Sequence, residues 1–182
     1  MQYNISGFNQ ECLLLFRKTE YSVIANKKTG KDEVKRVELK IDSTDIHLLN
    51  WFIDLWFSES KLRFARHRNP KDGLEYVNIH YSKTQNNFPV LFENPRMARK
   101  SFMKLTYFGI LKHYHHLNKG SYSCFRPNEE VISLIRYKDR QVTDLEYAEN
   151  KKRLIEEILI PNNILYGAVN LPSTHRCRGV YL

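Results

Sequence analysis

The segment that follows Asp42 is apolar at nearly every position, and this restricts the fold more than any other feature of the sequence. Its apolar residues are Ile46, Leu48, Leu49, Trp51, Phe52, Ile53, Leu55, Trp56 and Phe57. Asp42 or Ser43 can cap a helix here, because their side-chain oxygens accept hydrogen bonds from the first free backbone N–H groups. A helix with so little polar surface must be covered on several sides, either at the centre of a core or at a dimer interface. We expect the core, where large apolar side chains are most often buried.

A second predicted helix has one apolar face and one cationic face. Asn94 and Pro95 start it, because asparagine caps a helix and the missing N–H of proline costs nothing at the first helical position. Gly109 ends it. Ala98, Phe102 and Leu105 recur on one side, and the opposite side carries Arg96, Lys100, Met103, Lys104 and Tyr107. We expect the first side to pack against the core and the second to face solvent or a partner.

Two strand-like runs come directly after this helix. Residues 110–116 and 121–125 are joined by residues 117–120, where Gly120 can take the positive φ of a hairpin loop. A hairpin in this position would form a wing beside the helix.

Shorter elements complete the central part of the chain. Residues 75–81 alternate well enough for a strand, residues 82–87 are expected to form a short helix, and Asn128 opens another helix. A turn after residue 87 should pack four apolar side chains against the core, namely Phe88, Val90, Leu91 and Phe92. From Ser43 onward the order is helix, strand, helix, helix, strand, strand, and it predicts an α+β winged helix-turn-helix domain over residues 42–137.

The N-terminal annex or arm, residues 1–41, contains two apolar runs. Residues 12–16 and 21–24 predict two short strands, or a strand and a turn, around a loop at Gly30. Beyond the first long helix, residues 61–72 predict a basic loop that leads into a turn.

The C-terminal segment, residues 138–182, predicts one helix and an irregular tail. Thr143 and Glu146 match a capping box, in which each side chain satisfies the free backbone donor of the other residue. The helix that they open would end at Pro161. We expect this helix to form a homodimer contact.

Charge and cysteine content narrow the class of protein. Lysine and arginine number 29 against 20 aspartates and glutamates, so the formal charge is +9 and a polyanionic partner is expected. Cys12, Cys124 and Cys177 lie far apart and lack a CxxC pairing, which argues against a disulfide framework or a zinc knuckle. The sequence has neither a run of about eighteen apolar residues nor the order of a signal peptide. We therefore expect a cytoplasmic protein.

The cationic helix and the hairpin together predict binding to double-stranded DNA. The major groove of B-DNA admits one helix, which needs an apolar back and a cationic or hydrogen-bonding front. A hairpin that follows can lay basic and polar side chains along the neighbouring phosphates. The candidate DNA-binding residues are Arg96, Arg99, Lys100, Lys104 and Tyr107 on the helix and Lys112, His113, Lys119 and Ser121 on the hairpin. Of these, we expect Arg96, Lys100 and Tyr107 to contact bases. We expect Lys104, Lys112 and Lys119 to contact phosphates. Arg63, Arg66 and Arg68 fit a solvated loop and a phosphate contact equally well.

Metal binding and catalysis are not expected. In a strand, His113 and His115 share one face while His116 points to the other, and no cysteine or carboxylate nearby completes a metal site. The sequence shows no serine or cysteine nucleophile with its base, no paired carboxylates on a common face and no glycine-rich phosphate loop. We therefore predict neither enzymatic activity nor a cofactor.

Several short segments, taken in order, resemble a known family. They are Phe8–Glu11, Leu39–Asp42, Leu48–Asp54, Tyr76–Tyr81, Phe102–Leu105, Gly109–Tyr114 and Gly120–Phe125. In order and spacing they are similar to the winged-helix N-terminal domain of phage and plasmid replication proteins of the replisome-organizer or replication-initiator type. The resemblance implies a domain that binds origin DNA in replication initiation, with Arg96, Lys100 and Lys104 on the recognition helix and Gly120 in the wing turn.

Two other functions remain open at this point. A phage-encoded winged-helix inhibitor or regulator could use the same basic helix to bind a host protein, for example a defence nuclease, and such a complex would tolerate salt. A transcriptional repressor would bind DNA at half-sites with a fixed spacing. DNA affinity that falls steeply with salt favours a DNA-binding function over the host-protein partner.

Overall fold

Residues 4–25, 32–58, 65–117, 121–137 and 142–164 are described by the computed structural model, and they form an α+β fold. Within these ranges the helices are α1 (Gln10–Leu14), α2 (Ser43–Phe57), α3 (Tyr81–Asn87), α4 (Pro95–Tyr107), α5 (Glu129–Ile135) and α6 (Asp144–Arg153), which continues into a π-helical segment (Leu154–Leu159). The strands are β1 (Asn4–Ile5), β2 (Phe8–Asn9), β3 (Arg17–Ala25), β4 (Asp32–Lys40), β5 (Arg66–Arg68), β6 (Glu75–Asn78), β7 (Leu111–Leu117) and β8 (Ser121–Pro127). All the strand pairs are antiparallel. The predicted α+β class is confirmed.

Helix α2 lies at the centre of the core, as its composition predicts. Asp42 and Asp45 form a reciprocal capping box at its start. Its Leu48, Leu49 and Phe52 side chains are fully buried. Helix α2 is therefore covered by the rest of this chain, and no dimer interface is needed to bury these side chains.

A four-stranded sheet in the order β5-β6-β8-β7 packs beside the helices. Strands β7 and β8 pair over their whole length, from Leu111 opposite Pro127 to Leu117 opposite Ser121. Val77 of β6 pairs with Phe125 of β8, and both are buried in the core. The predicted hairpin and short helix α3 are confirmed.

The first apolar run of the chain is a helix, so the strand predicted for residues 12–16 is wrong. Asn9 caps α1 by accepting a hydrogen bond from the backbone N–H of Cys12. Cys12, Leu13 and Phe16 are buried in the core. Their spacing places them on one helical face, whereas alternation along a strand would have separated Cys12 from Leu13.

The second N-terminal run forms a hairpin with the polar stretch that follows it. Strands β3 and β4 pair from Arg17 opposite Lys40 to Ala25 opposite Asp32. Gly30, where the loop was predicted, lies outside the described residues. At the base of the hairpin, Leu39 packs against the core.

Two other expectations need correction. The segment predicted as a basic loop contains strand β5, and the turn after it places Gly73 at a φ of +69°. Val90, predicted to pack against the core, is 96% exposed, whereas Phe92 is buried. Arg63 lies outside the described residues.

The C-terminal helix belongs to the same core as the N-terminal annex. The Thr143 side chain accepts a hydrogen bond from the backbone N–H of Glu146, as predicted for the helix start. Leu154 and Leu159 are fully buried and belong to the cluster that contains Phe8. All three predicted segments of the chain therefore contribute to one core. Within the described ranges, no helix is both long and apolar enough to cross a membrane.

Candidate nucleic-acid interface

The outward face of α4 carries three exposed cations near its start. The opposite face is buried through Ala98, Ser101, Phe102 and Leu105. Asn94 caps the helix by accepting a hydrogen bond of 3.2 Å from the N–H of Met97. Arg96, Arg99 and Lys100 are exposed, and none of the ion pairs found among the described residues involves them. These three side chains can therefore meet an anionic partner without breaking an ion pair within the described part of the chain.

Lys104 is engaged inside the domain. Its ammonium lies 2.6 Å from Asp42 and also contacts Asp45. The side chain of Lys104 is only 11% exposed and that of Asp45 is fully buried. Ser101 donates a further hydrogen bond to Asp45. Lys104 thus joins α4 to the start of α2. For this reason the DNA contacts that we propose do not include Lys104.

Protonation in this cluster follows from its burial. Burial raises the pKa of the Asp45 carboxyl above its ordinary value, against hydrogen bonds from Lys104 and Ser101 that lower it. Burial also lowers the pKa of Lys104, but its two carboxylate partners more than reverse this effect, so the net pKa is raised. Lys104 is therefore positively charged at neutral pH.

The second half of the outward face of α4 is apolar. Tyr107 is 42% exposed, and the ammonium of Lys18 lies 5.1 Å from the centre of its ring. Tyr107, Met103 and Leu39 line a shallow groove of about 400 Å³ between α4 and strand β4. The groove was not predicted from the sequence, because Leu39 is separated along the chain from Met103 and Tyr107 by about sixty residues.

The hairpin β7–β8 brings polar side chains beside α4. Lys112 is exposed on β7, and His115 is hydrogen-bonded to Ser121. The His113 ring stacks on Phe125 with centroids 4.8 Å apart, and Phe125 in turn stacks on Phe102 of α4. Lys119 and Gly120, the predicted wing turn, lie outside the described residues.

His113 links the hairpin electrostatically to α4. Burial lowers the pKa of His113 below its ordinary value, and the charges of His115 and Arg99 lower it further. The stacked rings of His113, Phe125 and Phe102 place the middle of β7 beside α4. His113 Nε2 is buried without a hydrogen-bond partner among the described residues. The structure thus brings Arg99 and His113, two of the predicted DNA-binding residues, into one region.

The histidines lie on two faces of the sheet, as their alternation predicts. His113 stacks on Phe125 in the core, whereas His116 stacks on His67 of β5. Among the described residues, no group of three histidine, cysteine, aspartate or glutamate side chains could hold a metal ion.

Comparisons with protein-family models, with curated proteins and with solved structures found no match.

Proposed function

We propose that the chain binds double-stranded DNA as a winged helix-turn-helix protein, with α4 in the major groove and the β7–β8 hairpin along the adjacent backbone. The observation that carries the proposal is the exposed cationic start of α4, which faces away from the core and adjoins the hairpin. The order α2, β5, β6, α3, α4, β7, β8 and the sheet neighbours β6-β8-β7 support the winged-helix interpretation, to which β5 adds one strand that the sequence did not predict. Arg96 and Lys100 would contact base edges, and Arg99 would contact a phosphate. Lys112 alternates with the inward-facing His113 on β7, so it lies on the other face of the sheet and is not part of this contact.

For the biological role, we propose binding to origin DNA in the replication initiation of a phage or plasmid. This step follows the resemblance of the sequence segments to replication-initiator domains. A transcriptional repressor would use the same surface but would require two half-sites with a fixed spacing.

Fluorescence-anisotropy binding tests the proposal directly. The ligands are double-stranded DNA from the locus of the gene and a scrambled duplex of equal length, each at two salt concentrations. We expect tighter binding to the locus, and for both duplexes an affinity that falls steeply with salt, because each neutralised phosphate releases counterions. Weak and equal binding to both duplexes, abolished by salt, would contradict the proposal. It would show only the non-specific electrostatic attraction of a basic protein to DNA.

A host-protein partner is the second candidate function. The observation that favours it is the groove of Leu39, Met103 and Tyr107, which is mostly apolar although Lys100 and Lys104 also line it. A host protein could insert an apolar side chain there while its acidic residues meet the cations at the start of α4. A complex that persists at salt concentrations that abolish DNA binding would favour this candidate.

DNA affinity should rise as the pH falls from about 8 to about 6. In the free protein, the lowered pKa of His113 leaves its imidazole neutral at pH 7. His113 is half-buried with Nε2 turned inward, so a DNA phosphate would act on it through Nδ1. Such a contact would stabilise the imidazolium and raise this pKa, so binding would take up a proton. Coupling to one proton can change the affinity by at most about tenfold per pH unit. Anisotropy titrations across this pH range measure the effect.

His113→Gln is the control for this pH dependence, because glutamine cannot titrate. We expect the variant to lose the part of the pH dependence that comes from His113. The same pH profile in the variant and in the wild type would place His113 outside the interface. Stability must be monitored in parallel, because the lowered pKa values of His67 and His113 mean that stability is lost as the pH falls below about 6.5.

A further inference from the structure

The sheet has a second face, which carries a layer of aromatic side chains. Side chains alternate between the two faces of a strand. Val77 and Phe125 point into the core, so their neighbours Tyr76 and Cys124 belong to the opposite face. The register then places five rings on this outer face, which we call the aromatic layer: His67, Tyr76, Tyr114, His116 and Tyr122.

The rings of the aromatic layer are ordered by mutual stacking. His67 lies 4.2 Å from His116 and 5.9 Å from Tyr122, with interplanar angles of 26° and 15°. Tyr114 joins its hydroxyl to His116 Nδ1 at 3.2 Å and contacts Tyr76. Tyr76 is the buried member of the layer, whereas the other four rings are partly exposed. Parallel ring planes are thus held at the surface before any ligand binds.

The charges around the aromatic layer favour an anionic ligand. Lys112 is exposed on this face of β7, and Lys71 is exposed in the turn whose Asp72 contacts Tyr76. Neither lysine has an ion pair among the described residues. Of the two nearby acids, Glu75 lies 3.6 Å from Arg66, whereas Asp72 accepts a hydrogen bond of 2.6 Å from the Tyr76 hydroxyl and keeps its charge. The two lysines thus outnumber the one acid that is unpaired within the described ranges.

The histidines of the aromatic layer are suited to stacking. Burial lowers the pKa of His67 below its ordinary value, and the charge of His116 lowers it further. Two imidazoles whose centroids are 4.2 Å apart also repel each other when both are protonated. A neutral imidazole at pH 7 presents a ring face on which a nucleobase can stack without a phosphate contact.

We propose that the aromatic layer is a binding site for single-stranded nucleic acid, with bases stacked on His67 and Tyr122 and the backbone along Lys71 and Lys112. Stacking requires an exposed face of the base, and a duplex buries these faces between neighbouring base pairs. The site lies on a different face of the domain from α4, so it does not depend on the duplex-binding function proposed above. The same chain would contact a duplex with α4 and an unpaired strand with the sheet.

The wild-type protein alone can test whether bases are bound. One probe is an oligothymidine of roughly 15 nucleotides, and the other is an abasic deoxyribose-phosphate strand of the same length and charge. We expect the abasic strand to bind roughly tenfold more weakly or worse, because it offers phosphates but no bases to stack. Equal affinity for the two strands, or no binding of the oligothymidine, would overturn the proposal.

Two variants of His67 locate the contact. His67→Phe keeps a planar ring, whereas His67→Leu keeps apolar volume without a ring face. An oligothymidine with one 2-aminopurine reports stacking, because fluorescence of this base is quenched when it stacks on an aromatic ring. We expect the phenylalanine variant to retain the quenching and the affinity. The leucine variant should lose the quenching and bind the oligothymidine roughly tenfold more weakly.

The duplex assay separates this site from the α4 face. His67→Leu should leave the duplex affinity unchanged, and Lys100→Ala should leave the oligothymidine affinity unchanged. An equal loss of both affinities in either variant would contradict two separate sites. Duplex binding without single-strand binding would overturn this inference alone, and the reverse result would overturn the duplex proposal alone.

Discussion

Lys100→Ala should weaken binding to the cognate duplex by about 1–3 kcal/mol, which corresponds to roughly 5-fold to 150-fold in affinity. Lys100 is exposed on the outward face of α4, next to Arg96 and opposite the buried Phe102. A side chain in this position reaches a base edge if α4 enters the major groove. The missing base contact would be seen by anisotropy as a loss of discrimination between the cognate and the scrambled duplex.

Lys152→Ala is the matched control for Lys100→Ala. Lys152 is also an exposed lysine on a helix, but it lies on α6. Its replacement by alanine lowers the net charge by the same amount as Lys100→Ala. We expect its affinity to stay within about twofold of the wild type, because a charge beyond a Debye length of about 10 Å acts weakly. Unchanged cognate affinity in a folded Lys100→Ala protein would remove α4 from the interface. A uniform loss on both duplexes would instead assign Lys100 to a phosphate.

Local capping signals predicted the helix boundaries well. Asp42, Asn94 and Thr143 each accept a backbone hydrogen bond at the start of a helix, as their sequence context indicates. Helix α4 ends two residues before Gly109, which has a φ of +72°. Such signals act within a few residues, so a single sequence carries enough information to find them.

Partners distant in sequence were not predictable from helical periodicity. Lys104 falls on the polar side of α4, and periodicity alone cannot distinguish a solvated lysine from a paired one. Its partners Asp42 and Asp45 lie 62 and 59 residues away along the chain. The stacking of His67 on His116 has the same origin, since it requires strands β5 and β7 to belong to one sheet. The cationic surface of α4 is consequently smaller than the sequence predicts.

The first residues of the chain illustrate a different error. Residues 12–16 are apolar without interruption, and a short apolar run fits a buried strand as well as a buried helix. Asn9 decides for the helix, because its side chain caps the N–H of Cys12. Asn9 was therefore the signal in the sequence that indicated a helix, and a prediction based on hydrophobicity alone did not use it.

Lys104→Met should destabilise the fold by about 3–5 kcal/mol, because it leaves the buried Asp45 carboxylate without its cation. Methionine keeps much of the apolar volume of the lysine side chain, so the loss reports the charge. Asp42, with a side chain that is 49% exposed, keeps its contact with water and contributes little. Denaturant unfolding monitored by circular dichroism measures the difference in free energy.

The pH dependence of this loss identifies its cause. Without Lys104, the carboxyl of Asp45 loses a group that lowers its pKa, so the already raised pKa rises further. A carboxyl with a folded pKa above its unfolded value binds its proton more readily in the folded state, so the stability deficit should shrink as the pH falls below that raised pKa. A deficit that stayed constant with pH would point to lost packing.

The double variant Asp45→Asn/Lys104→Met separates the charge from the fold contacts. Asparagine keeps hydrogen-bonding atoms for Ser101 and for the helix start but carries no charge, so removing both partners should cost less than removing Lys104 alone. A folded Lys104→Met protein should also bind the cognate duplex as the wild type does, since its ammonium faces Asp42 and Asp45. A loss of DNA affinity as large as that of Lys100→Ala, in protein shown to be folded, would return Lys104 to the interface. It would mean that DNA draws the Lys104 ammonium away from Asp42 and Asp45.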